Sequence, residues 1–281
     1  MVWVLCHPRA KSMKLIVILI VLIFAAACSD QGTFSKDYLE REVTLGDRNY
    51  GYRVLLPKNY NPEKKASVML YLHGSGSRGD DNYLQIEGFD VAVFDLKERF
   101  DFVIVLPQCK KDSFWAASDM ADYAVAALDE AVREFNGDPD RLYLAGFSLG
   151  GYGTWQIAAA HPGKFAALVP VAGGVVGERP IKPDDRAAIL PEVGRMLDSP
   201  EPYKAVANAI GQTPVWVFHG SSDDSVPVEF SRKMVQALTD AGSTKVKYTE
   251  YANEGHLIFG KAIREPGLLE WLAEQKRNNP K

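Results

Sequence analysis

Residues 141–151 read Arg-Leu-Tyr-Leu-Ala-Gly-Phe-Ser-Leu-Gly-Gly, and the fold of the chain can be worked out from this stretch. An apolar segment runs into Gly-x-Ser-x-Gly, and residues 152–160 continue with sequence of helical character. This order predicts a strand, a tight turn that carries Ser148, and a helix that begins beneath the serine. Gly146 and Gly150 fit such a turn, since a Cβ atom at either position would clash with the strained backbone. Ser148 is therefore the candidate nucleophile.

Apolar segments alternate with helical sequence along the rest of the chain, which predicts a mostly parallel sheet covered by helices on both faces. Residues 41–45 and 50–56, joined by 46–49, predict an antiparallel hairpin that precedes this sheet. The further strands are predicted at 67–72, 102–107, 165–171, 214–218 and 245–251. The further helices are predicted at 119–135, from 226 to just before Gly242, and at 265–276, with a turn at 136–140.

One long segment departs from this alternation. Residues 173–213 contain five prolines and no clear strand. Loops of such length are often functional or form lids. The segment is therefore expected either to form a small cap over the site or to pack on the surface.

Length and composition indicate one domain with a large core, since the chain has 281 residues of which 47% are hydrophobic. The formal net charge of -4 gives no basic footprint for a nucleic acid. We assign residues 37–281 to this domain and residues 29–36 to a polar tether in front of it.

The first 28 residues have the pattern of a secretory signal peptide. A lysine at position 14 precedes an apolar run and three alanines, and Met13 is a candidate for the true start. The cysteine after the alanines resembles a bacterial lipobox, which implies cleavage before Cys28 and lipid attachment to it. A plain signal peptide is the alternative. The lipobox implies a lipid anchor in a bacterial envelope, periplasmic or at the outer membrane, as the only membrane contact. Cys109 would then have no partner for a disulfide.

A general base and an acid are expected after the serine along the chain. Of the later histidines, His161 ends a helix and His219 precedes the candidate acids, so His256 in the sequence Glu-Gly-His-Leu is the candidate base. Asp223 and Asp224 both follow the strand 214–218, and spacing alone does not separate them. Such a carboxylate would hold the imidazole tautomer and stabilise the imidazolium.

A glycine-rich loop at residues 73–82 directly follows the strand 67–72. Glycines allow such a loop to turn backbone N–H groups toward a substrate carbonyl oxygen, with the N–H of Leu149 as the second donor. His73 at the start of the loop is expected to fix its structure rather than to transfer protons. The loop lacks the Gly-Lys-Ser/Thr ending of a phosphate-binding loop.

Four motifs follow one another in the chain: Tyr-Leu-His-Gly at 71–74, Gly-Phe-Ser-Leu-Gly-Gly-Tyr-Gly-Thr-Trp at 146–155, His-Gly-x-x-Asp-x-x-Val-Pro at 219–227 and Gly-His at 255–256. Together they resemble the α/β-hydrolase superfamily. More narrowly, they are similar to the bacterial phospholipase/carboxylesterase-like group, often labelled predicted peptidases and including feruloyl-esterase-like members. The resemblance covers residues 43–271.

The resemblance implies roles for further residues. It selects Asp223 as the acid and the N–H of Ser75 as an oxyanion donor, and it suggests that Gln108 and Trp115 line the substrate side. It implies a serine hydrolase that cleaves a small-molecule or carbohydrate-linked carboxylic ester through an acyl-enzyme, without a cofactor or metal ion. A serine peptidase acting on short peptides and a catalytically inactive binding protein are the alternatives.

Overall fold

The computed structural model describes residues 35–93, 96–177 and 183–277. The predicted signal peptide, Cys28 and most of the tether lie outside these ranges. No helix in the described ranges combines the length and the hydropathy that a bilayer span requires.

The centre of the fold is one eight-stranded sheet with the strand order β1-β2-β4-β3-β5-β6-β7-β8. Its strands are β1 (Tyr38–Leu45), β2 (Arg48–Leu55), β3 (Ala66–Leu72), β4 (Phe102–Pro107), β5 (Gly137–Phe147), β6 (Ala167–Val171), β7 (Val215–Gly220) and β8 (Val246–Tyr251). Strands β1 and β2 form an antiparallel hairpin that joins β4 in antiparallel fashion, and the pairs from β4 through β8 are parallel. The predicted sheet and hairpin are confirmed.

Nine α-helices accompany the sheet in the described ranges. They are α1 (Leu84–Val93), α2 (Ser118–Glu134), α3 (Leu149–Ala160), α4 (Pro183–Ala188), α5 (Pro191–Leu197), α6 (Pro202–Ile210), α7 (Glu229–Asp240), α8 (Phe259–Ala262) and α9 (Leu268–Glu274).

The sheet separates two apolar layers, as expected of a parallel sheet buried on both faces. One layer contains side chains from α2, α3, α5, α6 and α7, such as Met120, Trp155 and Met234. The other contains side chains from α1, α8 and α9, such as Ile86, Phe259 and Leu272. Every residue of β4, β6 and β7 is buried. The carboxyl ends of the parallel strands meet at one edge, where open α/β sheets bind ligands.

Three boundaries and one whole helix stand out among the differences from the sequence-based predictions. The hairpin loop comprises only Gly46 and Asp47, because Leu45 already pairs with Arg48. The turn predicted at 136–140 is shorter, since Asn136 alone takes a positive φ of 48° and β5 begins at Gly137. The closing helix begins only after Gly267, which has a φ of 82°.

The fourth difference is helix α1, which the sequence analysis missed altogether. Its buried positions are Gln85, Ile86, Phe89, Asp90 and Val93. Two of these five are polar, so the apolar periodicity that indicates a helix is interrupted. Asp90 is buried through a hydrogen bond from Tyr38 at 2.8 Å and an ion pair with Lys97.

The segment 173–213 forms helices α4, α5 and α6 in its described part. Val193, Val206 and Ile210 of this segment are buried in the layer that also contains α3. The N–H of Leu190 donates to the backbone oxygen of Ala116, and Ile189 forms a β-bridge with Ala117. The described part of the segment thus packs in the helical layer that covers one face of the sheet.

Candidate active site

Ser148 lies between β5 and α3 in a strained backbone conformation with φ 55° and ψ -115°. Its N–H donates to the backbone oxygen of Val171 at 2.9 Å, which fixes the turn to the neighbouring strand. A Cβ atom on Gly146 would lie 2.2 Å from the backbone oxygen of Gly150, and one on Gly150 would lie 1.8 Å from that of Leu72. The predicted requirement for both glycines is confirmed, because the contacted atoms belong to the backbone and cannot rotate away.

His256 lies in the loop after β8 and joins Ser148 to Asp223. Its Nε2 is 2.8 Å from the Ser148 Oγ, and its Nδ1 is 2.8 Å from the Asp223 Oδ2. An ionised carboxylate can only accept a hydrogen bond, so the Nδ1 carries the proton and the Nε2 is free to accept from the serine hydroxyl. This is the arrangement in which an imidazole can remove the proton of a serine.

Asp223 is the member of the acidic pair that contacts His256. Its side chain is fully buried, whereas Asp224 is exposed and its carboxylate accepts from the Ser225 hydroxyl at 3.2 Å. The Asp223 Oδ1 accepts from the N–H groups of Ser225 at 2.9 Å and of Val226 at 2.8 Å. The turn after β7 therefore supplies the hydrogen bonds that a buried carboxylate needs.

A second histidine, His219, also contacts Asp223. Its Nε2 donates to the backbone oxygen of Val226 at 2.9 Å and lies 3.2 Å from the Asp223 Oδ2. Its Nδ1 is 2.7 Å from the Ser231 Oγ and accepts from that hydroxyl, since the Nε2 holds the proton. Burial lowers the pKa of His219, which keeps the ring neutral. Chain order argues against His219 as the base, and no sequence pattern indicates its contact with Asp223.

Close approach of the two loops that carry Asp223 and His256 depends on Gly220 rather than on Gly255. A Cβ atom on Gly220 would lie 2.3 Å from the backbone oxygen of Gly255, whereas one on Gly255 would meet only the Ser222 oxygen at 4.0 Å. The N–H of Ser222 also donates to the backbone oxygen of Glu254 at 2.9 Å, which joins the two loops.

The two predicted oxyanion donors lie on the loop after β3, where Ser75 borders the same cleft as Ser148, and at the first residue of α3, where Leu149 directly follows the serine. Among the described residues, neither backbone N–H donates a hydrogen bond. Leu149 also begins the helix, whose N-terminus carries a partial positive charge. The two N–H groups are therefore free to bind an oxygen atom of a ligand.

His73 fixes the base of the glycine-rich loop. Its Nδ1 donates to the Gly74 oxygen at 2.7 Å, and its Nε2 accepts from the N–H of Cys109 at 3.0 Å. Burial lowers the pKa of His73 to about 4, so the ring is neutral near pH 7. These contacts fit the structural role predicted for this residue.

The structure places Trp115 and Gln108, both predicted to line the substrate side, behind the loop instead. Trp115 is 1% exposed, and its Nε1 donates to the His73 oxygen at 3.0 Å. Gln108 is 6% exposed, and its amide bonds with Asp81 at 2.9 Å and with the N–H of Asn82 at 2.8 Å. Both side chains form hydrogen bonds with the loop at residues 73–82, and neither borders the cleft that contains Ser148.

That cleft has a volume of about 450 Å³. Among its described lining residues there is no Asp, Glu, Lys or Arg. No described residue of the segment 173–213 borders it either. It is lined by Tyr71, His73, Gly74, Ser75, Gly76, Ser77, Gly88, Phe89, Val91, Ala92, Phe147, Ser148, His256, Leu257, Phe259 and Gly260. The described residues contain no group of three or more His, Cys, Asp or Glu side chains arranged to bind a metal ion.

Comparison with known proteins gives one matching family model and several similar proteins, among them an esterase. The sequence model of the prolyl oligopeptidase family matches residues 112–275. An uncharacterized secreted protein of Arthroderma benhamiae is 27% identical over 221 residues, which is 72% of this chain and 22% of that protein. Acetylxylan esterase A of Emericella nidulans is 23% identical over 237 residues, 75% of either chain.

Solved structures agree with these matches. The crystal structure of a thermostable esterase superimposes with a TM-score of 0.66 at 29% sequence identity, over 87% of this chain and 64% of that chain. The chain therefore spans about a fifth of the secreted Arthroderma protein and just under two thirds of the thermostable esterase. The α/β-hydrolase fold implied by the four sequence motifs is confirmed by this superposition.

Proposed function

The chain belongs to the prolyl oligopeptidase family, and on that premise we propose that it is a serine hydrolase that cleaves carboxylic esters through an acyl-enzyme. The observation that carries the proposal is the hydrogen-bonded series from the Ser148 Oγ through His256 to Asp223, with both bonds at 2.8 Å. The free N–H groups of Ser75 and Leu149 beside it support the same reaction.

In the proposed reaction, His256 takes the proton of Ser148 while the serine oxygen attacks the ester carbonyl carbon. The N–H groups of Ser75 and Leu149 stabilise the oxyanion of the tetrahedral intermediate. His256 then gives its proton to the leaving alcohol, which leaves an acyl group on Ser148. A water molecule, deprotonated by His256, attacks this acyl group, and the acid product departs as the serine regains its proton. Asp223 stabilises the imidazolium at both stages.

The second candidate is hydrolysis of short peptides, which the name of the matching family favours. A peptide with a free amino terminus carries an ammonium group, and burying that group without a carboxylate partner is costly. The described lining of the cleft offers no carboxylate. This supports an uncharged ester over such a peptide.

Replacement of Ser148 tests the proposal. We expect Ser148→Ala to abolish hydrolysis of p-nitrophenyl acetate and labelling by a fluorophosphonate probe. The matched control is Ser222→Ala, which alters an exposed serine outside the cleft and should leave both signals intact. Labelling of Ser148→Ala at the wild-type level would contradict the assignment. Faster cleavage of an unblocked peptide p-nitroanilide than of the ester would favour the peptidase.

We further propose that the first 28 residues are a cleaved signal peptide and that Cys28 carries lipid in a bacterial envelope. The proposal rests on the sequence pattern alone, since these residues lie outside the described ranges. Growth with labelled palmitate should label the wild-type protein but not Cys28→Ser. An unlabelled wild-type protein would refute the lipid anchor and leave the proposal on hydrolysis untouched.

A further inference from the structure

Two large apolar side chains are strongly exposed in the described part of the chain, and both border the cleft. Val91 is 76% exposed and Leu257 is 89% exposed. Val91 belongs to α1, and Leu257 directly follows His256 in the loop after β8. They reach the cleft from separate elements, so one local irregularity of the backbone does not explain both.

A single exposed apolar side chain is ordinary on a protein surface. Here, however, the large apolar side chains that are exposed in the described ranges are these two, and both lie at one cleft. Apolar surface that gathers at one place and is rimmed by polar residues marks a binding site. The place in this chain is the cleft that holds Ser148 and His256.

The interior of the cleft joins these two side chains to Ser148 through aromatic rings. The Phe147 ring lies 5.1 Å from the His256 ring and 6.2 Å from the Phe259 ring, between centroids. The Phe259 ring in turn lies 6.0 Å from that of Phe89, which is on the same helix as Val91. These three phenylalanine rings line the cleft with little exposure of their own, 2% for Phe89 and 7% for Phe259, and they lead from the neighbourhood of the nucleophile to the helix that exposes Val91.

We propose that Val91 and Leu257 form the outer part of a binding site for the hydrocarbon portion of an uncharged ester. The ester group lies at Ser148, the hydrocarbon follows the three phenylalanine rings, and its distal end covers the two exposed side chains. Short acyl groups such as acetyl do not reach them. The inference deepens the proposed function and rests on it.

The test compares short and long substrates with one leaving group. We choose Val91→Thr and Leu257→Asn together, because both replacements keep side-chain size close to the original and lie at exposed positions. Loss of an apolar contact the size of one methylene reduces binding about four-fold, so two such losses should lower kcat/KM of the double variant for p-nitrophenyl octanoate by about fifteen-fold. The loss should appear in KM rather than in kcat. Hydrolysis of p-nitrophenyl acetate should change less than about two-fold.

Glu87→Gln is the matched control, since this exposed residue lies on the same helix as Val91 but does not border the cleft. It should leave the ratio of octanoate to acetate turnover unchanged. A second series uses esters of one acid with alkyl alcohols of increasing length. If the double variant loses kcat/KM in this series, the bound hydrocarbon belongs to the leaving alcohol. Equal rates for the double variant and wild type in both series, or an equal loss for acetate and octanoate, would overturn the inference.

Failure of this inference and failure of the proposed function give different results. If the chain hydrolyses no ester and is not labelled by the fluorophosphonate, the proposed function fails. If wild type and double variant are labelled equally, and if the two proteins have equal rates at each chain length, only the site at Val91 and Leu257 is refuted.

Discussion

Two serine–histidine pairs share one aspartate in this chain, and only one of them faces the cleft. His256 contacts Ser148 at 2.8 Å and the Asp223 Oδ2 at 2.8 Å. His219 contacts Ser231 at 2.7 Å and the same oxygen at 3.2 Å. The His256 side chain is 16% exposed, whereas that of His219 is fully buried.

The difference between the pairs shows that a serine, a histidine and an aspartate in contact do not by themselves make a catalytic site. Ser231 lies within α7 and is 1% exposed, so no substrate reaches it. Its hydroxyl donates to His219, whose second nitrogen is occupied by the Val226 oxygen and Asp223. Ser148, by contrast, lies at a strained turn at the helix start, with free N–H groups beside it. The chemistry depends on the backbone around the serine as much as on the histidine.

We expect the largest effect from Asp223→Asn, which changes the residue that both histidines contact. Asp223→Asn can offer an amide N–H to His256, which favours the tautomer with the proton on Nε2 and prevents it from accepting the Ser148 proton. A tautomer change of this kind costs about 10⁴ in kcat in a serine protease, so we expect a loss on the order of 10³–10⁴. Asp224→Asn is the control and should stay within about two-fold of wild type, because its side chain is exposed. A larger loss for Asp224→Asn, measured as kcat with p-nitrophenyl acetate, would reverse the assignment of the acid.

We expect a smaller effect from substitution of His219, the histidine of the buried pair. His219→Leu removes the ring nitrogen that lies 3.2 Å from the Asp223 Oδ2, and we expect kcat to fall about ten-fold through looser positioning of Asp223 and His256. Without the polar N–H of His219 nearby, the carboxylate of Asp223 attracts the imidazolium of His256 more strongly. The acidic limb of the kcat/KM profile should therefore move to higher pH. His219→Gln places an amide donor near the Nε2 position and should recover most of both changes. A loss of kcat with an unmoved pH profile would mean that His219 serves packing alone.

The smallest effect concerns stability. Burial lowers the pKa of His219, so the unfolded chain binds a proton below about pH 6.5 that the folded chain rejects. His73, with a pKa of about 4, acts in the same direction. The free energy of unfolding should therefore decrease as the pH falls from 7 toward 4. For each such histidine the slope is at most about 1.4 kcal/mol per pH unit. Urea unfolding at pH 7.5 and 5.5 should give a smaller decrease for His219→Gln than for wild type. Identical decreases would show that His219 is protonated equally in both states.

The sequence predicted those parts of the molecule in which one residue type is required at one place. Gly146 and Gly150 are demanded by backbone contacts, and the strands buried on both faces appear as unbroken apolar runs. Ser148, Asp223 and His256 follow strand ends, so their meeting at one edge of the sheet follows from the topology. Their roles in catalysis remain predictions.

The parts that escaped prediction are held by contacts between segments distant in sequence. Helix α1 buries Asp90 through the hydroxyl of Tyr38, 52 residues earlier in the chain, and this polar residue on the buried face breaks the apolar pattern. Trp115 and Gln108 follow a strand end like the site residues do, but their hydrogen bonds turn them toward the loop at residues 73–82. No spacing rule encodes that choice.

The absence of a side chain at Gly220 has a consequence for motion. Because the loops after β7 and β8 touch there and share the hydrogen bond from Ser222 to Glu254, Asp223 and His256 are held by directly joined loops, whereas the N–H of Ser148 is held by Val171. Displacement of the joined loops relative to Ser148 should stretch the bond between His256 and Ser148 before that between His256 and Asp223. Slow amide hydrogen exchange at Ser222, persisting when Ser148 is acylated, would be the signature of such a joint. Equal loss of protection at Ser222 and at Ser148, whose N–H binds Val171, would mean that the site opens as a whole.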